Sequence, residues 1–398
     1  MSRRWLDWSA TFMPMPRLNN TNLLPNEDAI REPPGRLASA GEEDMGSVTD
    51  NDLQAAPAVE ATLMHREAAE AGDAVRRLLS ANARVIAELG ERLRQSPPAV
   101  VVTCARGSSD HAATYGKYLI ETMTGVPVAS AAPSVASVYK APATARATLC
   151  IAISQSGRSP DLLATVTAQR AAGAHVVALV NDAGSPLAGL ADTLVPLMAG
   201  PETSVAATKS YIAALAGLAA IAAAWTQDAK LAQAIETLPD DLARAWALDW
   251  TPVVKALKGA NNLFVIGRGL GLGIAQEAAL KLKETCALHA EAFSSAEVRH
   301  GPMAIVGKDF PLIALATSDV AGDDVRAAAA EFAGRGATVC LADAVLDGGG
   351  HVPALTAHPA VEPILMIQSF YRMANRLSAE RGLNPDTPLH LKKVTQTL

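Results

Sequence analysis

Glu277, Lys281 and Glu284 lie within AQEAALKLKETCALH, residues 275–289. At helical spacing they gather on one face, while Ala275, Ala278, Ala279, Leu282 and Cys286 form an apolar stripe on another. Carboxylates are candidate general acids and bases. The spacing alone fits equally an ordinary salt-bridged surface at i,i+3 and i,i+4. Downstream, Glu297-Val298-Arg299-His300-Gly301-Pro302 sets an imidazole, a second acid–base group, beside a Gly-Pro turn.

The second group sits in IAISQSGRSPD, residues 151–161, where an apolar run gives way to Ser154-Gln155-Ser156-Gly157 and then Ser159-Pro160. A loop that leaves a strand and enters a helix presents unpaired N–H groups and the positive end of the helix dipole. Anions settle there, and the hydroxyls of Ser154, Ser156 and Ser159 with the Gln155 amide add donors. Gly157 permits a turn that a side chain would obstruct. Pro160 suits a first helical turn and Ser159 an N-cap, which is the plain structural alternative. A similar corner, Arg106-Gly107-Ser108-Ser109-Asp110-His111, turns Ser108 and Ser109 toward the same crevice, or else forms a simple turn with a solvated His111. With a phosphate bound in this crevice, a carboxylate such as Glu284 and an imidazole such as His300 suffice for proton shuttling in sugar chemistry.

These corners need strands and helices to hold them. Residues 99–104, 148–153 and 175–180 read as short apolar strands, with helices over roughly 109–123 and 160–172 between them and another over 62–95. Such alternation implies an α/β fold with a parallel sheet covered on both faces. The scheme then repeats. VVTCARGSSDHAATYGKYLIE (101–121) aligns with LFVIGRGLGLGIAQEAALKLKE (263–284), IAIS with IALA, and GAHVVAL with GATVCLA, at an offset of about 162 residues (106 to 268). One duplication accounts for all three matches. The expected architecture is therefore two tandem doubly wound domains, 62–245 and 246–398. Where the first half has Ser154-Gln155-Ser156-Gly157, the second has Ala316-Thr317-Ser318-Asp319. The fold does not demand the first sequence, so function is the better account of it.

The 398 residues are 49% hydrophobic and 19% charged, with a net charge of -6. No dense run of Lys and Arg is present, which argues against a nucleic-acid partner. The four cysteines, Cys104, Cys150, Cys286 and Cys340, sit among apolar neighbours and read as buried reduced thiols of a cytoplasmic protein. No zinc-type spacing occurs. The glycine run Gly267-Arg268-Gly269-Leu270-Gly271-Leu272-Gly273 fails the GxGxxG frame, and no GxxxxGK[ST] occurs, so nucleotide sites are not indicated. Residues 1–15 have no continuous apolar core, which disfavours a secretory signal. The Ala-rich stretch 212–225 reads as a core helix, too short to span a membrane. Residues 1–55, rich in Pro, Asn, Asp and Glu, read as a disordered extension.

Four motifs in order, SQSG with a following Ser159, AGPETSVAATKSY (199–211), ALKLKE (279–284) and HAEAFSSAEVRHGP (289–302), resemble the isomerase half of glucosamine-6-phosphate synthase. From about residue 62 onward the chain is identified as a member of the double sugar-isomerase (SIS) family, which implies flavodoxin-like domains and a phosphosugar substrate. The resemblance implies that Ser109, Ser154, Gln155, Ser156 and Ser159 bind phosphate and that Glu284 moves a proton between C1 and C2. It implies Lys281 near the reacting carbons, Val205 and Ala207 against the sugar, and Lys393, or Lys392 beside it, closing over the substrate. His300 becomes the ring-opening residue, contributed by the neighbouring subunit of a homodimer. Arg106 stands where the synthase has Cys, and Ala207 where it has Ser. The chain begins MSRRW, with no Cys before Cys104, so no glutaminase domain and no channelled ammonia are expected. Stand-alone relatives of this kind look like deaminases that convert glucosamine 6-phosphate to fructose 6-phosphate and ammonia without metal or redox cofactor. The alternatives are a fructosamine-phosphate deglycase, an aldose–ketose isomerase and a non-catalytic sugar-phosphate sensor.

Overall fold

The computed structural model describes residues 58–345 and 352–393; the extension expected at residues 1–55 lies outside them. Ten strands are present among the described residues: β1 Val100–Cys104, β2 Val128–Ser130, β3 Thr148–Ser154, β4 His175–Val180, β5 Thr193–Pro196, β6 Asn262–Gly267, β7 His289–Ser294, β8 Pro311–Ala316, β9 Thr338–Asp343 and β10 Val352–Pro353. The helices are α1 Leu63–Ala69, α2 Ala71–Gln95, α3 Ser108–Thr124, α4 Pro133–Ser137, α5 Pro160–Ala171, α6 Pro186–Leu190, α7 Lys209–Thr226, α8 Ala229–Ala247, α9 Thr251–Leu257, α10 Leu270–Cys286, α11 Val320–Gly334 and α12 Glu362–Glu380. The helix expected over 62–95 breaks at Glu70, between α1 and α2.

Two five-stranded sheets run β2-β1-β3-β4-β5 and β7-β6-β8-β9-β10, every pairing parallel. Both have the 2-1-3-4-5 order of flavodoxin-like folds, whose ligands gather beyond the carboxyl ends of the strands where the order reverses. The two registers agree residue for residue. Thr103, Ile151 and Val177 lie side by side across the first sheet, as Val265, Ile313 and Cys340 do across the second. All seven positions of β3 are buried, as a central parallel strand covered on both faces requires. The expected α/β class, with two parallel doubly wound sheets of one repeated order, is present.

The duplicated helices α3 and α10 each follow a glycine at φ 55°, Gly107 and Gly269, and they pack against one another. A Cβ at Gly273 would lie 2.5 Å from the His111 carbonyl oxygen and 2.9 Å from the Tyr115 nitrogen. The glycine run therefore serves close approach of two backbones. Helix α7 is long and apolar enough to cross a membrane by length and composition, but 89% of that window is buried inside the protein. It is longer than the stretch read from sequence and, as expected, a core helix, with α2, α3 and α8 around it. Cys104, Cys150 and Cys286 are buried and Cys340 is half-buried, all as free thiols.

Candidate active site

The corner after β1 delivers Ser108 as the first residue of α3. Its hydroxyl donates to Glu277 Oε1 at 3.1 Å and accepts from Lys281 Nζ at 3.1 Å. Glu277 Oε1 also accepts from the Tyr371 hydroxyl at 3.0 Å, and Oε2 from His111 Nδ1 at 3.0 Å. Lys281 Nζ stands 3.4 Å from Glu277 Oε1 and donates to Glu284 Oε2 at 2.5 Å. Side-chain exposure is 0% for Glu277, 1% for Lys281 and 21% for Glu284. The salt-bridged surface face allowed by spacing is thus corrected. α3 and α12 cover it, and only Glu284 reaches the open side.

Burial would raise the Glu277 carboxyl, but Lys281, His111 and Ser108 outweigh it and hold Glu277 below its ordinary value. Burial would likewise discharge Lys281, yet Glu277 and Glu284 raise it above its ordinary value. Both stay ionised. A buried ion pair persists only when its remaining donors and acceptors are satisfied, and here the neighbours supply them. Burial, then Glu277, lifts the Tyr371 phenol well above its usual range, so it remains a donor.

The corner after β3 holds Ser154, Gln155, Ser156 and Ser159. Gly157, at φ 63°, turns its N–H back onto Ser154 Oγ at 2.9 Å. A Cβ there would strike Ser185 Oγ at 2.2 Å, so glycine is required. Ser159 occupies the N-cap position of α5, but its hydroxyl donates to Asp161 Oδ1 at 2.7 Å and caps no backbone N–H. Arg106 donates to Asp161 Oδ2 through Nε at 2.8 Å and Nη2 at 2.6 Å, tying the two corners together. Burial would raise Asp161, but Ser159, Arg106 and the Leu162 N–H bring it below its usual value. The duplication keeps this strut: Arg268 Nη1 donates to Asp324 Oδ2 at 2.8 Å. Ser109, Gln155 and Ser156 are half-buried, and their side chains have no hydrogen-bond partner among the described residues.

A third cluster joins the loop before α7 to the C-terminal tail. Val205 N donates to Asp386 O at 3.4 Å. Lys393 Nζ donates to Ser204 O at 2.7 Å and lies 3.6 Å from the buried Glu202. Lys392 is exposed, and Val205 and Ala207 are half-buried beside the pinned backbone. Tyr211, at the start of α7, donates its hydroxyl to Gly273 O at 3.2 Å, fastening this loop to α10. His300 lies apart. It is exposed at the end of the 3-10 turn Glu297–Arg299, and among the described residues its side chain bonds to neither Lys281 nor Glu284.

Sequence reasoning set Ser108 with Ser109 in the substrate-binding corner and Lys281 on the face of Glu284; the structure brings the Ser108 hydroxyl onto Glu277 and Lys281, and His111 and Tyr371 were overlooked as partners of Glu277. His111 is one helical turn beyond Ser108, a signal within reach. Tyr371 comes from α12, and nothing local announced it.

The profile of the SIS domain family matches residues 96–224 and 256–346. Glutamine–fructose-6-phosphate aminotransferase [isomerizing] of Aeropyrum pernix is 35% identical over 309 residues, 72% of this chain and 49% of the relative. Its namesake in Symbiobacterium thermophilum is 32% identical over 311 residues, 74% of this chain and 51% of the relative. The chain thus spans about half the length of the curated relatives it matches. Among solved structures, a candidate phosphosugar isomerase of Silicibacter pomeroyi DSS-3 is 43% identical at a TM-score of 0.78, covering 82% of this chain and 100% of that one. Glucosamine-6-phosphate deaminase of Thermotoga maritima shares the fold, with a TM-score of 0.68 at 20% identity, covering 84% of this chain and 100% of that one. Matched by one family profile over two stretches that hold nine of the ten strands, the chain belongs to the SIS domain family.

Proposed function

We propose that this chain is an aminosugar-phosphate deaminase of the isomerase type, acting as a cytoplasmic homodimer on glucosamine 6-phosphate. The observation that carries this reading is Glu284, the partly exposed end of a buried chain of charges, held by one ammonium at 2.5 Å. A carboxylate so placed is oriented by a cation and is open to a ligand on one side. Such a group can carry a proton between adjacent carbons.

The phosphate is taken by Ser154, Gln155, Ser156 and Ser159 with the start of α5, and by Ser109 from the neighbouring corner. Val205 and Ala207 line the sugar, and Lys393 closes the tail over it. His300 of a second copy opens the pyranose; its exposure in the single chain suits a residue that serves another site. Glu284 removes the C2 proton of the open aldehyde, giving an enaminolate whose charge on O1 Lys281 offsets. The same carboxylate returns the proton to C1 while an amino N–H proton passes to O1. The resulting C2 imine takes up one water and separates into fructose 6-phosphate and ammonia.

The test is product analysis with glucosamine 6-phosphate, galactosamine 6-phosphate and phosphorylated fructoselysine. Ammonia and fructose 6-phosphate in equal amounts from the first are expected. A new ketose or aldose without ammonia would select a plain isomerase, and binding without any product a sensor.

A further inference from the structure

We propose that His111 is a positioning residue for proton transfer, acting through Glu277 to keep Lys281 on Glu284; this rests on reading Glu284 as the C1–C2 proton carrier. Lys281 lies between two carboxylates, 3.4 Å from Glu277 and 2.5 Å from Glu284. It leans to Glu284 because Glu277 has other donors: Ser108 and Tyr371 on Oε1, and His111 on Oε2. The two sides differ. Oε1 has several partners, whereas Oε2 has His111 as its hydrogen-bond donor.

Removing the imidazole leaves one oxygen of a wholly buried carboxylate without a donor, an arrangement proteins avoid. The nearest remedy is the Lys281 ammonium, whose move toward Glu277 loosens Glu284. His111 is itself held, because its backbone oxygen abuts Gly273 where α10 crosses α3. The titratable and charged groups around the pair are Asp110 and Arg106 on its own side, Glu277 and Lys281 on α10, Tyr371 on α12 and Tyr211 on α7. The side chain of His111 is 21% exposed, and its Nδ1 contact with Glu277 Oε2 is the one that leaves Lys281 to Glu284.

The experiment follows deuterium entry from D2O into C1 and C2 of the phosphosugar panel by NMR, with ammonia release and thermal unfolding in parallel. The full chain, His111→Phe and His111→Asn are compared. His111→Phe is expected to slow exchange on the order of 10²-fold, the scale of a misplaced catalytic group, with KM little changed. His111→Asn keeps an N–H donor and is expected to regain most of the rate. Should the Phe variant not fold, His111→Ala takes its place. A parental exchange rate in a folded variant without the donor, or an Asn variant as slow as that one, overturns the proposal. A parent that exchanges no deuterium with any sugar overturns it together with the reading of Glu284. A parent that exchanges but frees no ammonia overturns only the deaminase reading, and the variants still decide the role of His111.

Discussion

The backbone N–H of Ser318 donates to Glu362 Oε2 at 2.7 Å, whereas the N–H of Ser156, at the matching place in the first half, meets no protein acceptor among the described residues. Glu362, fully buried at the start of α12, also accepts from Ala357 N at 3.1 Å. The second corner thus holds a carboxyl group from its own chain. The first is longer, running from Ser154 to Pro160, carries the hydroxyls of Ser154, Ser156 and Ser159, and leaves the Ser156 N–H unmet by protein among the described residues.

One phosphosugar per chain follows from this asymmetry. Calorimetric titration with glucosamine 6-phosphate should give a stoichiometry of one, competed by inorganic phosphate. Replacing Ser154 and Ser156 by Ala should raise KM about tenfold or more with kcat largely kept. Hydrogen bonds to a charged group contribute about 1.5–3 kcal/mol each, and these act alike in ground and transition states. Two sites per chain, or an unmoved KM, would contradict the assignment.

Glu284→Gln should abolish turnover while sparing binding. The amide keeps the shape and can still face Lys281, but it cannot accept the C2 proton. General-base contributions of about 10²–10⁴ set the expected loss in kcat. Stopped-assay kinetics and a binding titration on the same sample separate the two effects.

The doubled architecture was readable because short apolar strands broken by Gly and Ser corners leave a local periodic trace, and that trace occurs twice. Ser154 to Ser159 could be placed at a helix start for the same reason. The burial of Glu277 was not readable. Spacing shows that Glu277, Lys281 and Glu284 share a face, but which element covers that face depends on α3 and α12, remote in sequence. Ser159 shows a finer failure: its position predicts a cap, yet Asp161 competes for its hydroxyl. The break at Glu70 left no mark either, since neither Gly nor Pro causes it.

Stability should depend on acid through Glu277. Its folded carboxyl lies below the ordinary value of 4.5, so its contribution is fully present above that value and is lost as pH falls through the folded one. Chemical unfolding of the parent should show stability falling with acid below about pH 4.5. Glu277→Gln should be less stable at neutral pH, with a shallower acid slope. Equal slopes would remove Glu277 from the account.

If His300 serves a second copy, two inactive variants should complement. Random mixing of His300→Ala with Glu284→Gln subunits makes half the dimers mixed, and each mixed dimer carries one intact site. Recovery of roughly a quarter of parental activity is expected from that twofold arrangement. Unfolding and refolding the variants together, then assaying, gives the answer; no recovery would place His300 in its own subunit's site.

Gly273 allows a last test of how the fold holds the chemistry. An added Cβ would sit 2.5 Å from the His111 carbonyl oxygen and 2.9 Å from the Tyr115 nitrogen. Both are backbone atoms of a helix and cannot swing aside. Gly273→Ala must therefore push α10 from α3, at a cost of about 1–3 kcal/mol for overpacking. The same shift separates Ser108 and His111 on α3 from Glu277 and Lys281 on α10, so kcat should fall with stability. Gly334→Ala is the control, because nothing lies within 4 Å of a Cβ there. In that helical position alanine should stabilise by up to about 0.5–1 kcal/mol and leave kcat alone. Thermal unfolding and kinetics on both variants decide the matter: a Gly273→Ala protein as stable and active as the parent would mean that the α3–α10 contact does not set the site.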